Sequence, residues 1–121
     1  MTSDGVKHAS FAKMPVEKLN PLLDRQFVYG EQGMLARLIL RKGCVVPEHS
    51  HANEQITYVV EGALRFYLGD GRIIDVRSGE VLVIPPHLSH KVDALEDTID
   101  LDVFTPPRAD WISGSDAYLR K

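Results

Sequence analysis

Two histidines one residue apart, His49-Ser-His51, with Gln55 shortly after them, are the first residues in this chain whose types and spacing could do chemistry. On an extended backbone, side chains two apart share a face. Two imidazoles would then converge on one point, the ligand type suited to Zn, Ni, Fe or Cu. Continued extension gives Gln55 the same parity and turns Glu54 to the other face. A third histidine, His90, follows the turn-like Pro85-Pro86. Taken alone, His-x-His also fits a pair of polar residues on a strand surface, and two histidines by themselves favour that reading.

A second cluster lies downstream in Asp100-Leu-Asp102-Val-Phe104-Thr-Pro-Pro-Arg108. Strict alternation puts Asp100, Asp102 and Phe104 on one face and Leu101 and Val103 on the other. Either the carboxylate face meets water, or it faces a polar cavity while Leu101 and Val103 pack between sheets or against a partner. Arg108 follows the Pro106-Pro107 turn. Its guanidinium is able to grip a ligand carboxylate with two hydrogen bonds, or to form a surface ion pair with Asp110. Trp111 reads as a packing residue under the C-terminal segment.

Short strands must position these groups. Candidates are 27–29, 34–40, 56–61, 63–68, 72–76, 81–84, 91–94 and 98–104, rich in Val, Ile, Leu, Tyr and Phe and separated by Gly and Pro signals. Gly69-Asp70-Gly71 predicts a hairpin, because Asp-Gly tolerates the positive φ of tight turns. Only 15–25 and 110–120 are left as short helices or irregular ends. With 121 residues there is room for one domain. The expected division is an N-terminal arm over 1–26, a barrel over 27–110 and a tail over 111–121. Many short antiparallel strands must close or stack to hide their edges, which gives a small barrel or jelly roll.

Net charge of −3 offers no basic footprint for nucleic acid, and no Lys/Arg run suggests a membrane surface. A single cysteine, Cys44, rules out an internal disulfide. There is no apolar run of signal-peptide or membrane-spanning type, so the expectation is a cytoplasmic protein.

The residues that surround the histidines fall into a known pattern. Gly43, His49, His51, Gln55 and Gly62 follow the spacing of the first motif of the cupin superfamily, and Gly79, Pro85, His87, His90 and Ala94 that of the second. Seven of the ten positions carry the motif residue. Gln55 replaces Glu, His87 replaces Gly and Ala94 replaces Asn. The resemblance implies an all-β cupin-type double-stranded β-helix, a jelly-roll barrel with short irregular or helical termini. It also implies one divalent metal ion (Zn, Ni, Mn or Fe) held by His49, His51, Gln55 and His90. With a neutral amide in place of a carboxylate, such a site keeps about two positive charges and favours an anionic ligand. His87 reads as a solvated loop histidine with a possible place beside the substrate, and His8 as having no role.

The segment 49–55 together with Asp102, Phe104 and Arg108 resembles the KdgF family of small pectin-degradation cupins. That resemblance implies an enzyme that opens the ring of 4,5-unsaturated uronates from pectin or alginate breakdown to the keto form. Asp102 would be the general base, Arg108 would bind the substrate carboxylate, Phe104 would shape the sugar pocket, and Gln55 would act beside the metal. The substrate would be a small anionic sugar, and a homodimer would cover the remaining sheet edge and apolar face. A metal-dependent dioxygenase and a non-catalytic binder of small carboxylates remain the alternatives.

Overall fold

A computed structural model describes residues 5–120, and alternating apolar residues give it ten strands. In chain order these are β1 (Glu17–Asn20), β2 (Leu23–Tyr29), β3 (Met34–Leu40), β4 (Val45–His49), β5 (Glu54–Glu61), β6 (Ala63–Leu68), β7 (Ile73–Arg77), β8 (Val81–Ile84), β9 (His90–Ala94) and β10 (Thr98–Thr105). A short helix α1 (Ala109–Ser113) and a 3-10 turn (Ala117–Leu119) follow. The strands form two antiparallel sheets, ordered β1-β2-β3-β10-β5-β8 and β4-β9-β6-β7. Their facing sides enclose one core that includes Leu38, Val59, Leu64, Phe66 and Val92. This is the jelly roll that the strand pattern and the motif resemblance implied.

The predicted hairpin joins β6 to β7, with Gly71 at φ 95°. Gly62, which ends the first motif, sits at φ 101°; a Cβ there would lie 2.4 Å from Thr98 Oγ1, so no other residue fits. Residues 15–25 differ from the sequence reading: they carry β1 and the start of β2, not a helix or an irregular end. Asp24 and Arg25 interrupt the apolar alternation there, yet both are buried and neutralised. Asp24 accepts from Arg41 at 2.8 Å, and Arg25 contacts Asp116 at 2.6 Å and Glu17 at 3.2 Å. Charge that is paired inside the fold looks like loop in the sequence.

Register places the polar positions. On β10, Asp102 lies opposite Thr57 of β5 and Ala36 of β3, and Phe104 lies opposite Gln55. Asp100, Asp102 and Phe104 are all buried, so their face lines the barrel interior and Val103 is on the outside. On the other sheet His49 pairs with His90. Among the described residues, no helix is long and apolar enough to cross a membrane.

Candidate metal centre and cavity

The three histidines converge as their spacing suggested, but by a different route. His49 ends β4 on the four-stranded sheet, while Gln55 stands near the start of β5 on the other sheet. The chain leaves extended geometry between them, over 50–53, and His51 occupies that connection. Parity along one strand therefore does not bring Gln55 to the histidines; the turn from one sheet to the other does. The His49 and His90 rings lie 4.4 Å apart between centroids, and His51 lies 5.5 and 5.1 Å from them. One ring nitrogen from each falls within 4.8 Å of the others. Glu54 is exposed, as its parity implied.

Each ring is aimed by a backbone carbonyl two residues away. Nδ1 of His49 donates to Pro47 O (2.8 Å), Nδ1 of His51 to Asn53 O (3.0 Å) and Nδ1 of His90 to Leu88 O (2.9 Å). This fixes the tautomer with a lone pair on every Nε2, the arrangement typical of metal-ligating histidine. Burial lowers the basicity of all three, to about 4 for His49 and His51, and the positive charge of Arg108 adds to the effect. They are neutral at physiological pH.

Two further observations fit a cation. His90 Nε2 is buried with no hydrogen-bond partner. Gln55 Oε1 lies 3.1 Å from His51 Nε2, two lone-pair atoms face to face once the His51 proton is on Nδ1. Three neutral imidazoles and an amide oxygen make a donor set suited to a divalent ion. His87 is not part of the group. It is exposed at φ 69°, in the left-handed conformation of the glycine it replaces, and its N–H donates to His51 O at 2.8 Å. His8 is also exposed and away from the cluster.

Beside the histidines lies an acidic wall. Burial pushes Asp102 up to about 6, opposed by a hydrogen bond from Thr57 and the charge of Arg108. Asp100 is raised well above the ordinary carboxyl range, by burial and then by the charge of Asp102. Arg108 is 2 % exposed, so its pairing with Asp110 is real but not at the surface. Nε and Nη2 donate to the two Asp110 oxygens at 2.9 and 2.8 Å, and Nη2 also donates to the Tyr118 hydroxyl at 2.7 Å. Nη1 has no hydrogen-bond partner among the described residues. Phe104 is buried with its ring 5.7 Å from His51 and 5.0 Å from Trp111, and the Arg108 guanidinium sits over it.

The C-terminal segment covers this cavity. Tyr118 places its ring 4.8 Å from His49, and Trp111 carries the guanidinium groups of Arg25 and Arg108 over its ring at 4.5 and 4.7 Å. Trp111 thus packs as expected but also lines the cavity, with Tyr118, Leu119, His49, His90 and Asp102. The cavity volume is about 50 Å³. Sequence reasoning overlooked Tyr118 and Thr57. The one signal for Tyr118 was the short apolar run Ala117-Tyr118-Leu119 in the tail; Thr57 gave none.

A double-stranded β-helix with three inward histidines is the hallmark of one class of proteins, and the chain belongs to it: the cupin domain family matches over residues 36–105. Within that class it is similar to the pectin degradation protein KdgF of Dickeya dadantii (strain 3937), at 28 % identity over 102 residues, covering 81 % of this chain and 91 % of that protein. The structure of KdgF from Halomonas sp. superposes with a TM-score of 0.78 at 28 % identity, over 84 % of this chain and 96 % of that one. An RmlC-like cupin from Shewanella frigidimarina NCIMB 400 gives 0.80 at 30 % identity, over 88 % and 96 %. The protein is therefore a small cupin related to pectin degradation proteins.

Proposed function

We propose that this chain is a metal-dependent enzyme that opens the ring of 4,5-unsaturated uronate monosaccharides to the keto form. The observation that carries the reading is the placement of a buried carboxylate, Asp102, and a buried guanidinium, Arg108, on the wall of the same cavity as His49, His90 and Gln55, with His51 completing the imidazole cluster beside it. The likeness to KdgF proteins supports the substrate class.

His49, His51, His90 and Gln55 would hold the divalent ion, which when bound supplies Lewis acidity for charge developing on oxygen. The free Nη1 of Arg108 suits the substrate carboxylate, and a charged hydrogen bond of this kind fixes the sugar's orientation. Asp102 is ionised just above pH 6, in the range a general base needs at neutral pH. It takes the proton from the anomeric hydroxyl. The electron pair forms the aldehyde carbonyl as the bond from the anomeric carbon to the ring oxygen breaks, and the ring oxygen leaves as an enolate. Protonation of that enolate at the adjacent alkene carbon gives the ketone, so no atom is gained or lost. Phe104 does not line the cavity itself; it supports His51 and the Arg108 guanidinium from behind.

We also read the molecule as a homodimer. Leu35, Val103, Ile56 and Val83 lie side by side across β3, β10, β5 and β8, and all but Ile56 are at least 39 % exposed. A second copy over this face would bury an apolar patch that water leaves uncovered.

The activity is tested by adding metal-replete protein to 4,5-unsaturated galacturonate and following loss of the conjugated-alkene absorbance. Wild type should outpace buffer, and Asp102→Asn should lose ~10²–10⁴-fold. If Asp102→Asn and Arg108→Ala both leave turnover unchanged, the assignment is wrong.

A further inference from the structure

A buried carboxamide can sit either way round, since its oxygen and nitrogen are nearly the same size. Which way Gln55 faces decides whether the cavity offers an oxygen or an N–H to a cation. Its neighbours are His51 Nε2, 3.1 Å from Oε1, and Thr57 Oγ1, 2.9 Å from Nε2. Thr57 is completely buried. Its hydroxyl has one proton, and Asp102 Oδ1 stands 2.7 Å away.

We propose that Thr57 is a positioning residue whose hydroxyl holds the Gln55 amide oxygen toward the three imidazoles and ties that orientation to Asp102. An ionised carboxylate only accepts hydrogen bonds, so the Thr57 proton goes to Asp102. Only lone pairs then remain on Oγ1 for Gln55, which must offer its N–H. The chain runs from Gln55 N–H to Thr57 and from Thr57 O–H to Asp102, and it leaves Oε1 facing the histidines. His51 cannot set this orientation, because its Nε2 is itself an acceptor and would favour the opposite one. Without the hydroxyl the amide turns over and donates to His51 Nε2. That single rotation removes the amide oxygen and blocks an imidazole lone pair. The inference rests on the reading of Gln55 as a ligand and Asp102 as an ionised acid, and not on the sugar.

The test uses metal alone. Zn²⁺ and Mn²⁺ affinities of the full chain are measured by chelator competition for wild type, Thr57→Val and Thr57→Ser. Loss of a group that orients a ligand typically costs 10–100-fold in affinity, so Thr57→Val should bind metal ~10–100-fold more weakly while Thr57→Ser stays within about threefold of wild type. A Thr57→Val protein that folds and binds metal like wild type overturns the proposal, and so does a Thr57→Ser protein as weak as Thr57→Val. Should Thr57→Val not fold, NMR on metal-free wild type decides. The Gln55 Nε2 protons should show stronger cross-peaks to Thr57 than to the His51 ring, and the reverse pattern overturns the proposal. Absence of uronate turnover with these metal results intact would sink the proposed reaction and leave the Thr57 assignment standing.

Discussion

The hydroxyl of Tyr118 accepts a hydrogen bond from Arg108 Nη2 at 2.7 Å while its ring packs 4.8 Å from His49. One side chain from the C-terminal tail thus touches both the histidine cluster and the guanidinium proposed to bind the substrate. The cavity behind it, about 50 Å³, is far below the ~300–1,000 Å³ usual for small-molecule sites. Tyr118 is among the side chains that narrow it.

Tyr118→Phe removes the phenol oxygen that competes for Arg108 and keeps the ring. A hydrogen bond to a charged group is worth ~1.5–3 kcal/mol, so KM for the uronate should fall about tenfold, with metal affinity unchanged. Steady-state kinetics checks it, and a higher KM would mean that the phenol itself holds the sugar.

The acid pair fixes the pH response. Asp102 is raised to about 6 by burial, so kcat should climb as pH rises through about 6 and then level off. Asp100 is raised too, by burial first and then by the charge of Asp102, and it takes no proton in the proposed reaction. Asp100→Asn should therefore keep neutral-pH turnover within about threefold. Stability has the opposite sign. A carboxyl raised in the folded state favours folding below its ordinary value of ~3.9, and that contribution is lost as pH rises through the folded value. The three histidines, lowered by burial, work the other way between pH ~4 and 6.5, so the acid pair is read as a difference: Asp100→Asn should gain on metal-free wild type as pH rises above ~4. Thermal melts across that range test it, and parallel curves would contradict it.

How much of this was legible in the sequence depended on distance along the chain. His-x-His, the Gly69–Gly71 hairpin and the alternation of Asp100, Asp102 and Phe104 are local patterns, and they mapped onto the end of β4 with the connection after it, β6–β7 and β10. The partnership of Thr57 with Asp102 spans 45 residues and exists only through the β5–β10 register. No local pattern encodes that register. Strands β1 and β2 were hidden for a related reason. Arg25 reads as a surface residue until Glu17 and Asp116, far apart in sequence, come together around it.

That buried cluster makes its own prediction. Arg25 and Asp116 have no exposed side-chain surface and stand 2.6 Å apart. Burial alone would raise Asp116, but hydrogen bonds from Arg120 and Arg25 outweigh it and hold the carboxyl below its ordinary value. Asp116→Ala would leave the buried guanidinium with Glu17 as its one carboxylate, and removing one partner of a buried pair typically costs ~3–5 kcal/mol. Urea unfolding at pH 7 should show a loss of about this size. Because the carboxyl is lowered in the folded state, the wild-type advantage is full above the ordinary carboxyl value and fades as pH falls below it.

Gln55→Glu tests the charge of the site. A carboxylate cannot donate to Thr57, so it competes with Asp102 for the hydroxyl proton. It also removes one unit of positive charge from the loaded site. Metal affinity should rise while KM for the anionic sugar rises as well, a split that calorimetry and kinetics together resolve. Tighter metal binding with a lower KM would contradict the charge argument.

The central claim is that this cavity speeds uronate ring opening, and the most direct measurement watches the product form. Metal-replete protein is mixed with freshly generated 4,5-unsaturated galacturonate and followed by proton NMR. The alkene signal should give way to open-chain keto signals much faster than in buffer, and Asp102→Asn should fall back toward the buffer rate. Open-chain product forming at the same rate with and without the protein would contradict the claim.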